Sequence, residues 1–368
     1  MKEALIIPAL DPEPSLLKLI FELEEKGFKN IVIVDDGSSQ GKEGIFDEAS
    51  ELGCIVLHHR TNIGKGESIK SGISEVIKLW GRIGVITLDA DGQHCPEDIV
   101  KVARQMETSP EALILGVRDF SGKNVPLRSK AGNIITFMVF KIMTGKTCPD
   151  TQTGLRGIPA SLLSLALNEE GSRYEYEMNF LMDAVRLVPV RMVPIETIYE
   201  DKNRSSHFRP VRDSLMIYGR PLKFLLSSLA GALTDYLAFG ILLLTLGFSS
   251  LGQALSIIIA TIAARLISGT MNFELNRRWS FRSRNSDAGD LSRYLVLFFS
   301  LMATSAAGTS MLSNFISPAL SKPIIDTVLF FLSYRVQQNW VFSKKDIKAK
   351  SDSKAGKRKF FPNEKALN

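Results

Sequence analysis

The sequence predicts an α/β unit with a mostly parallel sheet, followed by an all-α transmembrane domain of four helices. Three observations carry that expectation. Up to about residue 215, short apolar runs alternate with stretches of helical periodicity, the pattern of strands joined by helices that cover both faces of a sheet. After about residue 220 the apolar residues gather into four runs, each near or above the ~20 residues that cross a bilayer. Three strand ends in the first part carry polar, glycine-containing turns, and in open α/β sheets ligands collect at the carboxyl ends of strands.

Composition agrees with two unlike parts. The chain has 368 residues, more than one small core needs. Hydrophobic residues make up 45% and the mean hydropathy is +0.07, high for a soluble enzyme. The net charge of +6 lies in a few segments near the apolar runs, which suits an anionic membrane surface and argues against nucleic acid. Cys54, Cys95 and Cys148 are far apart and odd in number, so neither a disulfide framework nor a metal spacing follows. The N-terminal apolar run is too short for a signal peptide and is interrupted by Pro8.

Ala4 to Ile7 reads as the first strand, ending at Pro8. Ser15 to Lys26 has apolar residues at helical spacing and closes at Gly27. Ile31 to Val34 is the second strand, followed by Asp35-Asp36-Gly37-Ser38-Ser39. A helix runs on to about Leu52, and Ile55 to Leu57 is the third strand. Asn62-Ile63-Gly64-Lys65-Gly66 opens a helix that ends near Trp80. Val85 to Leu88 is the fourth strand, Pro96 stands where a helix starts, and Ala112 to Leu115 is the fifth strand. Ile134 to Met143 suits an interfacial or a core helix, being too short to cross a bilayer.

The fourth strand runs into Asp89-Ala90-Asp91-Gly92-Gln93-His94. Two carboxylates one residue apart are costly to bury without a partner. A divalent cation chelated to a diphosphate supplies one, and hard oxygen ligands suit Mg²⁺ or Mn²⁺. Alone, Asp-x-Asp also reads as an ordinary acidic turn. Gly64-Lys65-Gly66 lacks the spacing of a P-loop, which leaves Lys65 as either a ligand contact or a solvated charge.

Together, Ile6-Ile7-Pro8, Val34-Asp35-Asp36-Gly37-Ser38, Asn62-Ile63-Gly64-Lys65-Gly66, Asp89-Ala90-Asp91-Gly92-Gln93-His94, Gly116-Val117-Arg118 and Gln152-Thr153-Gly154-Leu155-Arg156 resemble the family 2 glycosyltransferases. Within them they resemble the polyprenyl-phosphate, dolichyl-phosphate-mannose-synthase-like branch. The resemblance covers about residues 1 to 215 and implies a Rossmann-like sheet of the GT-A type that binds a nucleotide-diphosphate sugar. It places Pro8, Asp36, Lys65, Asp89, Ala90 and Asp91 at the donor, with Asp36 at the base or ribose, and Asp89, Asp91 and Gln93 on a Mg²⁺ or Mn²⁺ ion. Where the family has an aromatic residue and Asn-Glu after the first proline, this chain has Ala9-Leu10-Asp11-Pro12-Glu13.

From Ser121 to Arg212 the chain turns basic. A guanidinium matches phosphate oxygens with a planar fork of donors, though each arginine also reads as part of a solvated face. The resemblance puts Arg118 and Arg128 on the acceptor's phosphate and, with Asp89 and Asp91, in the catalytic set. Arg204, His207 and Arg209 join them as a basic cluster. Glu175 and Glu177 lie where other family members keep a general base, but a phosphate acceptor is already an anion and needs none. Phe180, Leu181 and Val185 favour a helix over this stretch.

The four apolar segments run from Leu222 to Phe248, Leu251 to Phe273, Tyr294 to Ile316 and Pro318 to Val336. Basic flanks put both termini and the middle loop in the cytoplasm. Asn276-Arg277-Arg278-Trp279-Ser280-Phe281 and Gln337-Gln338-Asn339-Trp340-Val341-Phe342 are echoes, implying two helix-pair repeats. Their Trp-x-Phe endings and the four-helix layout resemble the GtrA-like family, which implies handling of a polyprenyl-linked sugar in the membrane. Inside the spans, Asp235 is expected to pair with Arg265, and Asp326 with Lys322 or Arg265.

The resulting expectation is a plasma-membrane glycosyltransferase with a cytoplasmic catalytic domain (1–215), a membrane domain (216–343) and a basic tail (344–368). It would transfer a sugar, with inversion, from a nucleotide diphosphate to a polyprenyl phosphate. Two other readings stay open: a hydroxyl acceptor with a base among Asp11, Glu175 and Glu177, or a lipid-linked-sugar carrier with a binding-only soluble part. A homo-oligomer is left open.

Overall fold

The computed structural model describes residues 1–92, 94–119, 127–196, 219–247, 253–281 and 287–342. The chain divides into two compact units, Met1–Tyr218 and Gly219–Asn368.

The first unit is built on seven strands: Ala4–Ala9 (β1), Ile31–Asp35 (β2), Ile55–His58 (β3), Val85–Thr87 (β4), Leu113–Arg118 (β5), Arg156–Ile158 (β6) and Val190–Ile195 (β7). Their order is β3-β2-β1-β4-β6-β5-β7. Every neighbouring pair is parallel except the two made by β6. The helices of this unit are Ser15–Glu25 (α1), Glu43–Glu51 (α2), Lys65–Trp80 (α3), Pro96–Thr108 (α4), Leu127–Thr144 (α5), Leu163–Asn168 (α6) and Glu175–Leu187 (α7). Strand alternation sorts them onto two faces. Leu5, Ile7, Ile31 and Ile33 pack with Leu16, Ile20, Phe46, Ile99 and Val102 from α1, α2 and α4. On the other face Ile6 lies against Gly72 of α3, so closely that a Cβ there would come within 2.5 Å of Ile6 Cγ2.

The chain steps outward from β1 to β3 and then returns to β4 on the far side of β1. Strand order therefore reverses between β1 and β4, the place where open α/β sheets bind ligands. Pro8 marks the same spot. Contrary to expectation, β1 continues past Pro8 to Ala9. The Ala4 amide donates toward β4, to Gly84 O at 3.1 Å, and the Leu5 amide toward β2, to Asn30 O at 2.8 Å. By alternation the Pro8 nitrogen faces the β4 side, where the ladder has already ended at Thr87. The missing donor costs nothing there.

Two strands were not foreseen. β6 has three residues and begins with an arginine; β7 is an edge strand with exposed Arg191, Met192 and Pro194, and proline is tolerated at an edge. Arg156, the first residue of β6, is 2% exposed. It donates from Nε to Thr153 O at 2.8 Å, from Nη1 to Glu177 O at 2.6 Å and from Nη2 to Thr151 O at 3.2 Å. One buried guanidinium thus ties the turn before β6 to α7.

The second unit has four helices, Gly219–Gly247 (α8), Gln253–Leu275 (α9), Asp287–Leu312 (α10) and Pro318–Val336 (α11). Among the described residues three helical stretches are long and apolar enough to cross a membrane: Pro221–Thr245, Leu255–Ser280 and Gly289–Leu312. The fourth expected segment, Pro318 to Val336, is a helix with those bounds. α11 is a 19-residue helix that carries Lys322, Asp326 and Arg335. The charges are partnered: Lys322 Nζ lies 2.8 Å from Asp326, and Arg265 Nη1 lies 3.5 Å from Asp235.

The sequence echo is a structural repeat. α9 ends in a π turn, Asn276–Ser280, and α11 in another, Gln337–Val341. In each, the closing phenylalanine amide donates to the first residue's carbonyl, Phe281 to Asn276 at 2.8 Å and Phe342 to Gln337 at 2.7 Å. The two turns meet. Phe281 stacks on Phe342 with ring centroids 5.2 Å apart, and Asn276 Nδ2 donates to Gln337 Oε1 at 3.0 Å.

Replacing Arg156 tests the buried tie in the first unit. Arg156→Met should destabilise the protein by about 2–5 kcal/mol, because three buried carbonyls lose a charged donor. Thermal unfolding of the detergent-solubilised protein measures it. Lys at the position should recover only part, since one ammonium cannot reach all three carbonyls; a melting temperature unchanged by Met would contradict the role.

Candidate active site

The site forms where β4 stops and β6 starts. Thr87 pairs with Arg156, the last antiparallel pair. Two residues further along each strand, Asp89 meets Gly154. A Cβ on Gly154 would lie 2.2 Å from Asp89 Oδ2 and 2.7 Å from its Cγ, so this backbone has room for the carboxylate only as glycine. Thr87 Oγ1 holds the same turn by donating to Gly154 O at 3.0 Å.

Asp89 has a cation beside it. Lys65 Nζ lies 2.6 Å from Asp89 Oδ1 and 3.1 Å from both oxygens of Glu177. Burial alone would raise the Asp89 carboxyl, but Lys65 and His94 outweigh it and hold that carboxyl far below the usual carboxylate range. Burial likewise disfavours the Lys65 ammonium, and Asp89 and Glu177 outweigh it and keep the group protonated. His94 is buried, with Nε2 3.8 Å from Asp89 Oδ2. Its Nδ1 has no partner among the described residues.

Lys65 is delivered by the turn after β3. Gly64 caps α3 with φ +106°, where a side chain would collide with Ser172 O at 2.3 Å. Asp36 clamps this turn: Oδ1 accepts from the Ile63 amide at 3.0 Å, Oδ2 from the Gly64 amide at 2.9 Å, and His59 Nδ1 bonds Oδ1 at 3.1 Å. The carboxylate expected at the base or ribose is thus engaged with its own chain.

The three acidic side chains considered as bases are engaged as well. Glu175 Oε1 accepts the Ser172 amide at 3.0 Å at the start of α7, Asp11 Oδ1 accepts the Ser39 amide at 2.7 Å, and Glu177 holds Lys65. Arg118 grips a fully buried Asp150, Nε to Oδ2 at 2.7 Å and Nη2 to Oδ1 at 3.0 Å. That pairing was not foreseen, and it engages one edge of the guanidinium within the protein. Arg128 lies in the first turn of α5. Gln93, Arg204, His207 and Arg209 lie outside the described residues.

The structure therefore brings Pro8, Lys65, Asp89, Ala90 and Asp91 to one sheet edge. It adds Gly154 and His94, to which sequence reasoning gave no role, and sets Glu177, weighed there as a base, beside Lys65. Asp91 is exposed on the turn after β4. Two hard oxygen donors one residue apart fit a divalent ion. Among the described residues no three His, Cys, Asp or Glu side chains form a closed cage. Such an ion would complete its shell from diphosphate oxygens and water, as Mg²⁺ commonly does.

Comparison with known proteins gives two matches to family models, "Glycosyl transferase family 2" over residues 4–164 and "GtrA/DPMS, transmembrane domain" over residues 223–342. The chain is 33% identical over 218 residues to a UDP-N-acetylglucosamine–dolichyl-phosphate N-acetylglucosaminyltransferase of Methanococcus voltae, covering 54% of this chain and 86% of that protein. It is 30% identical over 177 residues to an undecaprenyl-phosphate 4-deoxy-4-formamido-L-arabinose transferase of Serratia proteamaculans, covering 45% and 52%. Among solved structures, glucosyl-3-phosphoglycerate synthase from Mycobacterium tuberculosis matches with a TM-score of 0.46 and 15% identity, over 61% of this chain and 78% of that one. The mostly parallel GT-A sheet and the helical membrane domain expected from the sequence are both present.

Gly154→Ala should displace the Asp89 carboxylate by about an ångström and lower glycosyl transfer on the order of a hundred-fold, the usual effect of a misplaced reacting group. Its melting temperature should fall less than that of Arg156→Met. Transfer within a few-fold of wild type would contradict the tight fit of Asp89 on Gly154.

Proposed function

The chain belongs to glycosyl transferase family 2, and from that premise we propose that it transfers a sugar from a nucleotide diphosphate to a polyprenyl phosphate at the cytoplasmic face of the plasma membrane. The observation that carries the acceptor is the pair of relatives whose names share a polyprenyl phosphate while differing in sugar and in lipid. The GtrA/DPMS transmembrane domain on the same chain suits a lipid acceptor. The division into a transferase domain (1–215), a membrane domain (216–343) and a basic tail (344–368) belongs to the same reading.

The residues suggest how the transfer proceeds. The donor's diphosphate lies at the β1–β4 edge, against the start of α3 and Lys65. Asp89 and Asp91, with Gln93, hold a Mg²⁺ or Mn²⁺ ion, which when bound stabilises negative charge on the leaving diphosphate. Arg128 and the Arg204, His207 and Arg209 cluster hold the acceptor's phosphate. Arg118 joins them at the phosphate and, by gripping Asp150, fixes the 150–156 turn under Asp89. A phosphate oxygen attacks the anomeric carbon opposite the leaving diphosphate, so a single displacement inverts the sugar. Catalysis is then largely positioning and charge stabilisation.

The rival reading, a hydroxyl acceptor deprotonated by a carboxylate, finds less support. Glu177 is ion-paired with Lys65, Glu175 binds amides at the start of α7, and Asp11 binds the amide of Ser39. An anionic acceptor asks for no such base.

Two outcomes test the proposal. With a panel of nucleotide sugars and polyprenyl phosphate, the purified protein should form a lipid-linked sugar only with Mg²⁺ or Mn²⁺ present. EDTA or Asp91→Asn should abolish it, and product formed in EDTA would remove the metal from the mechanism. Arg128→Ala should raise the acceptor KM about ten- to a hundred-fold, the worth of one charge-assisted contact, with donor affinity unchanged. An unchanged acceptor KM would withdraw Arg128 from the phosphate site.

A further inference from the structure

A tethered ammonium lies beside Asp89. Lys65 touches Asp89 at 2.6 Å and Glu177 at 3.1 Å, and these two carboxylates come from β4's end and from α7. Asp89 packs closely on Gly154, where a Cβ would lie 2.2 Å from Oδ2, and the Glu177 backbone is gripped at its carbonyl by Arg156. The Lys65 backbone is fixed too, by the Asp36 clamp on Ile63 and Gly64. What can move is the four-carbon stem that carries the charge.

We propose that Lys65 is a placeholder cation, which neutralises Asp89 while the nucleotide is absent and passes to the diphosphate when nucleotide and divalent ion enter. The proposal rests on the donor site described above. A divalent ion on Asp89 and an ammonium 2.6 Å from the same oxygen repel each other, so one must leave. Glu177 keeps the ammonium from being lost to solvent. A diphosphate offers it a new anion within reach of the stem, at the start of the same helix. Without nucleotide, a bare divalent ion must compete with a tethered cation and binds poorly. With nucleotide, the competitor becomes a ligand of the incoming group. Lys65 would thus make metal and nucleotide binding depend on each other, and Glu177 would act as its anchor instead of as a base.

The test is Mn²⁺ binding to the full-length protein in detergent, read by electron paramagnetic resonance of the free ion, without nucleotide and with UDP or GDP. Lys65→Met, and Lys65→Gln as a second neutral variant, should bind Mn²⁺ alone about ten- to a hundred-fold more tightly than wild type, the scale of one charged contact. The same variants should bind UDP or GDP in the presence of Mn²⁺ more weakly than wild type. That reversal of sign is the signature, because the same ammonium opposes the bare ion on Asp89 and assists the diphosphate. Equal shifts, or bare Mn²⁺ affinity unchanged or weakened in both neutral variants, would overturn the placeholder. Asp89→Asn separates the failures. If nucleotide-dependent Mn²⁺ binding is present in wild type and lost in Asp89→Asn, the donor site stands whatever Lys65 does. If wild type takes up no Mn²⁺ with either nucleotide, the metal-dependent reading falls and the placeholder with it.

Discussion

A carboxylate at the end of a central strand persists only with a cation beside it, and in this protein much of the first unit is arranged around that need. Asp89 stands where strand order reverses, at the edge left open because β4 ends while β1 continues. An unpaired carboxylate so placed would carry a desolvation cost of several kcal/mol. Lys65 offsets it at 2.6 Å, and Glu177 keeps the ammonium there. The pair is not a stability device in the usual sense, since buried ion pairs often do little better than well-packed apolar groups. Its use lies in keeping a charged site ready for a charged ligand.

Three turns converge on that pair, and each depends on a backbone that comes closer than a side chain allows. Gly37 fits against Thr61 and Asn62, where a Cβ would lie 2.4 Å from the Thr61 carbonyl carbon. Gly64 fits under Ser172, and Gly154 under Asp89. The Asp36 carboxylate joins the first turn to the second by accepting amides of Ile63 and Gly64. Arg156 joins the third turn to α7. The site is preorganised by main chain and buried polar bonds, leaving the Lys65 stem as its adjustable part.

Legibility in the sequence followed the range of the interaction. The first five strands were readable because each contains a run of apolar residues, and Ala4 to Ile7 and Ile31 to Val34 are buried on both faces. β6 was not readable, because three residues beginning with arginine carry no periodicity; its partners β4 and β5 supply the pairing. Asp89 and Lys65 were found from local motifs. That Lys65 holds Glu177, 112 positions away, and that Arg118 holds Asp150 have no local signature. Gly154 was visible as a motif residue but not as the seat of Asp89, since that depends on the register of β4 with β6. In the membrane unit the Trp-x-Phe echo was legible as a repeat, and the fourth segment was legible as a helix over Pro318 to Val336.

The repeat in the second unit shows how polar residues can be kept among apolar helices. Asn276 and Gln337 hold equivalent places in the two repeats and bond each other at 3.0 Å. Each also repeats the same bond one turn back along its own helix, Asn276 Nδ2 to Asn272 Oδ1 at 2.9 Å and Gln337 Nε2 to Ser333 Oγ at 3.0 Å. The amide side chains at the first position of each π turn thus satisfy one another and the helix turn before them. Tyr294 extends the chain of bonds by donating to Asn272 Oδ1 at 3.0 Å. Of these groups Asn272, Tyr294, Ser333 and Gln337 border a cavity of about 260 Å³ that is also lined by Asp235, Arg265 and Ser268. The polar residues of this unit are thus concentrated where helices face each other, and the large apolar side chains left exposed, Leu233, Leu237, Ile241 and Leu244 along α8, are those a bilayer would cover.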